Sequence, residues 1–199
     1  ESGFASALQN IGSMRNNGIE FQVDADIISN SDWTWNVGFN ISHNRSKILN
    51  LGDDEMLDAG NGLRYIKGEK IYTFYLRDYY GVNPVNGEAL WRTASGKLSN
   101  NINDAQYIKA GSPEPDYTGG VNTNLSWKNI TLSVSCEFKG GNDILIQERG
   151  NFMSDGASMT MNQFKSLLNY WQKPGDTGCN PKPVAGNATR SYALYSTRF

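Results

Sequence analysis

Between Gly18 and Phe138 the chain twice writes a pair of runs in which apolar and polar residues alternate strictly, each pair joined by only a few polar residues. In the first pair Ile19, Phe21, Val23, Ala25 and Ile27 are followed, after Ser29-Asn30-Ser31-Asp32, by Trp33, Trp35, Val37, Phe39 and Ile41. Polar residues or glycine fill the positions between them: Glu20, Gln22, Asp24 and Asp26, then Thr34, Asn36, Gly38, Asn40 and Ser42. The second pair sets Val121, Thr123, Leu125 and Trp127 against Asn122, Asn124, Ser126 and Lys128. After the Lys128-Asn129 turn it sets Ile130, Leu132, Val134, Cys136 and Phe138 against Thr131, Ser133, Ser135 and Glu137. Successive side chains of a strand point to opposite faces, so each pair is an antiparallel hairpin with one apolar and one hydrated face. The fold turns on what covers the apolar face, a second sheet or lipid.

Strand length and loop asymmetry favour lipid. Runs of about nine residues, tilted by about 40°, rise roughly 23 Å, close to the ~25 Å apolar band of an outer-membrane barrel. Globular strands average five or six residues. The near-side connections are tight turns, whereas Ser42 to Val121 and the stretch after Phe138 are long excursions, the asymmetry of barrels with short turns on one side and long loops on the other. Trp33, Trp35 and Trp127 all sit beside the short turns and are candidate membrane-interface residues, since an indole bridges hydrocarbon and water. A plain core position at a sandwich edge is the alternative for them.

Composition removes other classes. The formal net charge is -2 and the pI near 5.4, so there is no basic field for nucleic acid. No apolar run approaches the roughly 20 residues of a transmembrane helix. Mean hydropathy of -0.54 does not argue against a barrel, in which only alternate residues meet lipid. A single histidine, His43, excludes a multi-histidine metal site and makes a histidine-based triad a poor bet. Asp53-Asp54-Glu55 lacks the ligand spacing of a calcium loop and reads as solvated. Gly140-Gly141-Asn142-Asp143 reads as a strand-ending turn. Cys136, on an apolar strand face, reads as a small buried hydrophobe and not as a disulfide partner of Cys179. No catalytic constellation, metal site or cofactor motif emerges, and the chain is not read as an enzyme.

The excursions carry their own signals. Asn16-Asn17-Gly18 reads as a turn feeding the first strand. Ile71 to Tyr80 is aromatic-rich and leads through Asn86-Gly87 to Trp91, a hairpin signature. Tyr79, Tyr80 and Trp91 are candidate substrate contacts through stacking, with hairpin packing as the competing role. Residues 92–116 read as loop. Met161, Phe164, Leu167, Leu168 and Trp171 follow helical spacing behind a cap at Asp155 or Ser158, predicting one short amphipathic helix before Pro174-Gly175.

An ordered series of segments then resembles the SusC/RagA-type TonB-linked outer-membrane proteins. It runs from Asn10-Ile11-Gly12-Ser13-Met14-Arg15-Asn16-Asn17-Gly18-Ile19-Glu20 through Trp33-Thr34-Trp35-Asn36-Val37-Gly38-Phe39-Asn40-Ile41-Ser42-His43-Asn44 and Lys47-Ile48. It continues with Gly81-Val82-Asn83-Pro84-Val85-Asn86-Gly87, Gly111-Ser112-Pro113-Glu114-Pro115-Asp116-Tyr117-Thr118-Gly119-Gly120, Gly140-Gly141 and Leu167-Leu168-Asn169-Tyr170-Trp171, and closes on Ser196-Thr197-Arg198-Phe199. The resemblance implies an all-β fold of antiparallel up-and-down strands. Residues 1–199 would form a C-terminal segment of a barrel of about twenty-two strands, with plug domain and terminal strands outside the sequence. It further implies import of a glycan or peptide across the Gram-negative outer membrane, powered through TonB, with a SusD-like lipoprotein over the mouth and lipid around the barrel. An open slice of this kind, alone in water, is expected to cover its apolar face with itself, with the 159–171 helix or with another copy. The competing architecture is a soluble secreted β-sandwich that binds carbohydrate through Tyr72 to Trp91.

Overall fold

The computed structural model describes residues 12–158, 160–186 and 195–198. Among them lie strands β1 (Ser13–Ser29), β2 (Trp33–Asn50), β3 (Met56–Gly60), β4 (Leu63–Ile66), β5 (Thr73–Arg77), β6 (Tyr79–Val82), β7 (Ala89–Arg92), β8 (Leu98–Ser99), β9 (Tyr107–Lys109), β10 (Tyr117–Trp127) and β11 (Ile130–Gly140), with one α-helix, α1 (Gln147–Phe152). The chain forms two compact units. Among the described residues, one is drawn from 12–59, 64–73 and 112–143, the other from 60–63, 74–111, 144–158, 160–186 and 195–198. Asn10, Ile11 and Phe199 of the resemblance series lie outside the described residues.

The first unit is built on a four-stranded antiparallel sheet in the order β1-β2-β10-β11. Its two hairpins are those read from the alternation. Asn30 caps the first turn, its side-chain oxygen accepting the N–H groups of Asp32 and Trp33 at 3.0 and 2.9 Å. In the second turn Lys128 adopts φ 51° and its N–H donates to Asp32 O at 2.8 Å, joining the two turns. The strands outrun the expected nine residues: β1 has 17 and β2 has 18. Asn16-Asn17-Gly18 is no turn, because these residues stay in register with Ser46, Arg45 and Asn44. Cross-strand pairing overrides their turn propensity. Gly18 suits this place, since a Cβ there would meet the His43 carbonyl at 2.7 Å. A register shift between Asp26 and Ile28 brings Ile28 opposite Trp35 and keeps the end of β1 apolar.

In the second unit β6, β7 and β8 form an antiparallel sheet, and β5 pairs with β9. Its core is Ala89, Trp91, Ile102 and Ala105 with Tyr79 packed against it. Residues 92–116, expected as loop, supply β8, β9 and a 3-10 turn at Ile102–Asp104. Polar composition hid the two apolar residues, Ile102 and Ala105, that fix the segment to Trp91.

The amphipathic helix expected near 159–171 does not form; only Lys165–Leu168 makes a 3-10 turn. Asn180 takes the carbonyls a helix would use, its side-chain amide donating to Ser166 O and Asn169 O at 2.9 and 3.0 Å. Trp171 N–H is drawn to Asn180 O, and Phe164 N–H to Phe152 O. Asp155 does not cap; it has φ 48° and binds Arg198. The α-helix sits instead at Gln147–Phe152.

At Asn86-Gly87 the hairpin signal is fulfilled: Gly87 has φ 77°, and the Trp171 ring lies 2.6 Å from where its Cβ would stand. Trp171 also donates its indole N–H to Pro84 O at 3.1 Å. Gly87→Ala would meet both left-handed strain and this ring. It is expected to cost about 2 kcal/mol or more, read as a lowered midpoint of thermal unfolding.

Candidate functional site

Register turns the β1-β2-β10-β11 sheet into rungs. Asp24, Gly38, Asn122 and Ser135 share one rung, and Gln22, Asn40, Gly120 and Glu137 the next. Glu20, Ser42, Thr118 and Lys139 follow. All lie on one hydrated face. The opposite face carries Val23, Phe39, Val121 and Cys136 on one rung and Ala25, Val37, Thr123 and Val134 on its neighbour.

Among the described residues nothing covers the apolar face. Phe21 is 56% and Val134 43% exposed, with Val37 and Leu125 half-buried. A sandwich would bury all four. Cys136 is likewise exposed on this face and not buried as expected, and both cysteines are free thiols. Rings still associate laterally: Phe39 lies 6.5 Å from Phe21 and 6.4 Å from Phe138. Phe138 rests over Gly119, where a Cβ would meet the ring at 2.5 Å.

The three tryptophans expected at an interface border this face beside the turns. Trp33 and Trp127 are paired in register and stack at 5.5 Å, and Lys128 Nζ sits 5.6 Å from the Trp127 ring. Trp35 lies farther from the turn, and its indole N–H donates to Thr123 Oγ1 at 2.8 Å. It therefore satisfies its donor within the sheet.

A hollow of about 550 Å3 lies around Gly119 and Gly120, lined by Asn40, Thr118, Asn122, Ser135, Glu137 and Lys139 together with Val121, Cys136 and Phe138. Sequence reading missed it. The signal was Gly120 placed by register between Asn40 and Glu137, visible only once β2, β10 and β11 are aligned.

Beyond the apolar band, β2 continues into a polar clamp on the Ser112-Pro113-Glu114-Pro115-Asp116 segment. Buried Ser46 donates through Oγ to Glu114 Oε2 and accepts Ile71 N–H at 2.9 Å. His43 Nδ1 donates to Asp116 O at 2.5 Å, and Lys70 Nζ donates to Asp116 Oδ1 at 2.6 Å. The hydrogen bond and charge of Lys70 hold the Asp116 carboxyl below the usual carboxylate range. A depressed native pKa gives stability that is present above the unfolded value, near 3.9, and is lost as pH falls through the native one. Lys70→Met is expected to raise the Asp116 pKa, read by carboxyl NMR titration, so that the clamp opens at higher pH than in the wild type.

The three candidate substrate contacts divide. Trp91 is fully buried, and Tyr79 packs edge-on against it at 5.3 Å between centroids. Desolvation pushes the Tyr79 hydroxyl up to about 12, despite the opposing charge of Arg198. Tyr80, the intervening residue, is 54% exposed, with the Arg92 guanidinium 5.1 Å from its ring centre. Arg92 is tied in turn to Asp78, Nε to Oδ2 at 3.3 Å.

No family model matches the chain. TonB-dependent receptor P3 of Formosa agariphila is 32% identical over 92% of this chain and 20% of its own length. TonB-dependent receptor SusC of Bacteroides thetaiotaomicron is 28% identical over 98% of this chain and 20% of its own. The solved structure of the RagAB peptide transporter superposes with a TM-score of 0.81 at 26% identity, covering 99% of this chain and 22% of that one. The chain is similar to a barrel segment of the SusC/RagA-type proteins. The RagAB peptide importer in its open-open state gives a TM-score of 0.77 at 25% identity over 98% of the chain. The chain spans about a fifth of the length of the curated relatives it matches. In the frame of the SusC/RagA type, β1, β2, β10 and β11 are staves of a large antiparallel barrel, and among the described residues the sheet they form is not closed.

Proposed function

We propose that the protein to which this segment belongs is a TonB-dependent importer of a glycan or peptide in the Gram-negative outer membrane. The segment supplies part of the barrel wall and no enzymatic chemistry. The observation that carries this reading is the two-faced sheet, whose bare apolar side suits lipid and whose other side suits a water-filled passage. The names of the relatives support it, since they are receptors and a peptide transporter. A SusD-like surface lipoprotein, TonB and outer-membrane lipid are the partners that follow. Trp33 and Trp127, with Trp35 beside them, are proposed as the interfacial girdle on the short-turn side. Tyr80, the exposed one of the three aromatic candidates, is proposed as the ring that meets a passing solute. Deleting the whole parent gene and measuring uptake and growth on a panel of glycans and peptides tests the reading. Loss confined to one class supports import of that class, and unchanged uptake across the panel contradicts the reading.

A further inference from the structure

The apolar face of β1 and β2 changes character along its length. From Trp33 to Ile41 the alternate residues of β2 are apolar, and beyond Ile41 the same positions carry His43, Arg45 and Lys47. Register sets Ile19 opposite His43, Asn17 opposite Arg45 and Arg15 opposite Lys47. Tyr117 of β10, half-exposed, shares the His43 rung. At about 3.4 Å per residue and a tilt of about 40°, that rung lies roughly 26 Å along the barrel axis from the Trp33–Trp127 rung, the height of an outer-membrane apolar band. A tyrosine there stands at the second membrane boundary. Arg45 and Lys47 follow roughly 5 and 10 Å farther out, at the depth of the lipid headgroups.

The charges of this patch have one sign. The strand carboxylates Glu20, Asp24, Asp26 and Glu137 all lie on the hydrated face. Arg15 and Lys47 are directly opposed, a placement in which like charges destabilise a sheet across roughly 5 Å. Arg45 takes the next position on the same face, about 7 Å from Lys47. All three are exposed, and none joins an ion pair or side-chain hydrogen bond among the described residues. Asp116, whose carboxyl feels the charges of His43 and Arg45, is already held by Lys70 Nζ at 2.6 Å. The repulsion is relieved by an anion supplied from outside, and at this depth the surrounding layer consists of headgroups. We propose that Arg15, Arg45 and Lys47, with the Asn17 amide beside them, bind the phosphate of an anionic lipid headgroup in the outer leaflet. Guanidinium forks match phosphate oxygens, and the acyl chains of the same lipid lie along exposed Ile19 and Phe21 below. That continuity with the apolar face favours a lipid over an acidic protein segment, because one ligand satisfies both. The inference rests on the transport reading, which supplies the membrane and its orientation.

The test uses the intact purified parent protein in neutral detergent, with monophosphoryl lipid A and the same lipid lacking its phosphate as probes. Inorganic phosphate and tetraglutamate serve as competitors, and bound lipid is counted by native mass spectrometry. The wild type should hold the phosphorylated lipid at least about tenfold more tightly, and Lys47→Gln should cut that preference about fivefold, the contribution of one basic residue at a lipid surface. Thermal unfolding without added lipid separates this loss from damage. Removing one of two opposed like charges should leave Lys47→Gln at least as stable as the wild type. A lowered midpoint would show the ammonium paired with a carboxylate elsewhere in the parent and would overturn the site. Equal affinity for the two lipids overturns it as well. So does displacement of the lipid by equimolar tetraglutamate or inorganic phosphate, which would make the patch a dock for an acidic segment or a plain anion. A parent that imports nothing on the panel overturns the transport reading itself and leaves the lipid measurement standing.

Discussion

Arginine at Val134 destabilises the parent protein in a bilayer by about 2–4 kcal/mol, whereas arginine at the adjacent Ser133 changes stability by less than about 1 kcal/mol. The two residues are neighbours on β11 but belong to opposite faces. Val134 shares its rung with Thr123 and Val37, roughly 10 Å along the barrel axis from the Trp33–Trp127 pair, which is near the middle of an apolar band ~25 Å tall. A guanidinium there leaves water for hydrocarbon, while one at Ser133 enters the hydrated side. Urea unfolding of the two variants in liposomes measures the difference. Equal penalties would mean that the two faces meet the same medium.

Breaking the Asp155–Arg198 pair has an effect of similar size elsewhere in the chain. Both side chains are buried. The guanidinium forks onto the carboxylate, Nη2 reaching Oδ1 at 2.8 Å and Asn180 Oδ1 at 3.3 Å, and lies 5.5 Å from the Tyr79 ring centre. Arg198→Met strands a buried carboxylate and is expected to cost about 3–5 kcal/mol. Pairing it with Asp155→Leu should restore most of that, because the isolated charge and not the lost attraction dominates the penalty. Hydrogen exchange of residues 153–184 in the parent protein reads both variants. Protection should fall in the single variant and recover in the double one.

What sequence alone made legible follows from the range of the forces involved. The two hairpins, their faces and their turns were readable because alternation is local and strict from Ile19 to Ile41 and from Val121 to Phe138. The lengths of β1 and β2 were not, because pairing beyond the apolar band is set by partners such as Ser46 with Glu114, far apart in sequence. The helix near Met161 failed for the same reason: its spacing is correct, but Asn180 and Phe152 compete for its backbone. Of the aromatic candidates, sequence could not tell that Tyr79 and Trp91 turn inward while Tyr80 turns out, since a register shift lies between Tyr79 and Gly81. The hollow around Gly120 needed three strands in register before it existed at all.

The most direct test is a cysteine scan of β2 in the parent protein, stripped of Cys136, Cys179 and any other cysteine and set in bilayers containing brominated lipid. Fluorophores at Val37, Phe39 and Ile41 should be quenched by lipid, and cysteines at Asn36, Asn40 and Ser42 should instead react with a water-soluble maleimide. Absence of lipid quenching at Val37, Phe39 and Ile41, with no period of two along the strand, would contradict the account.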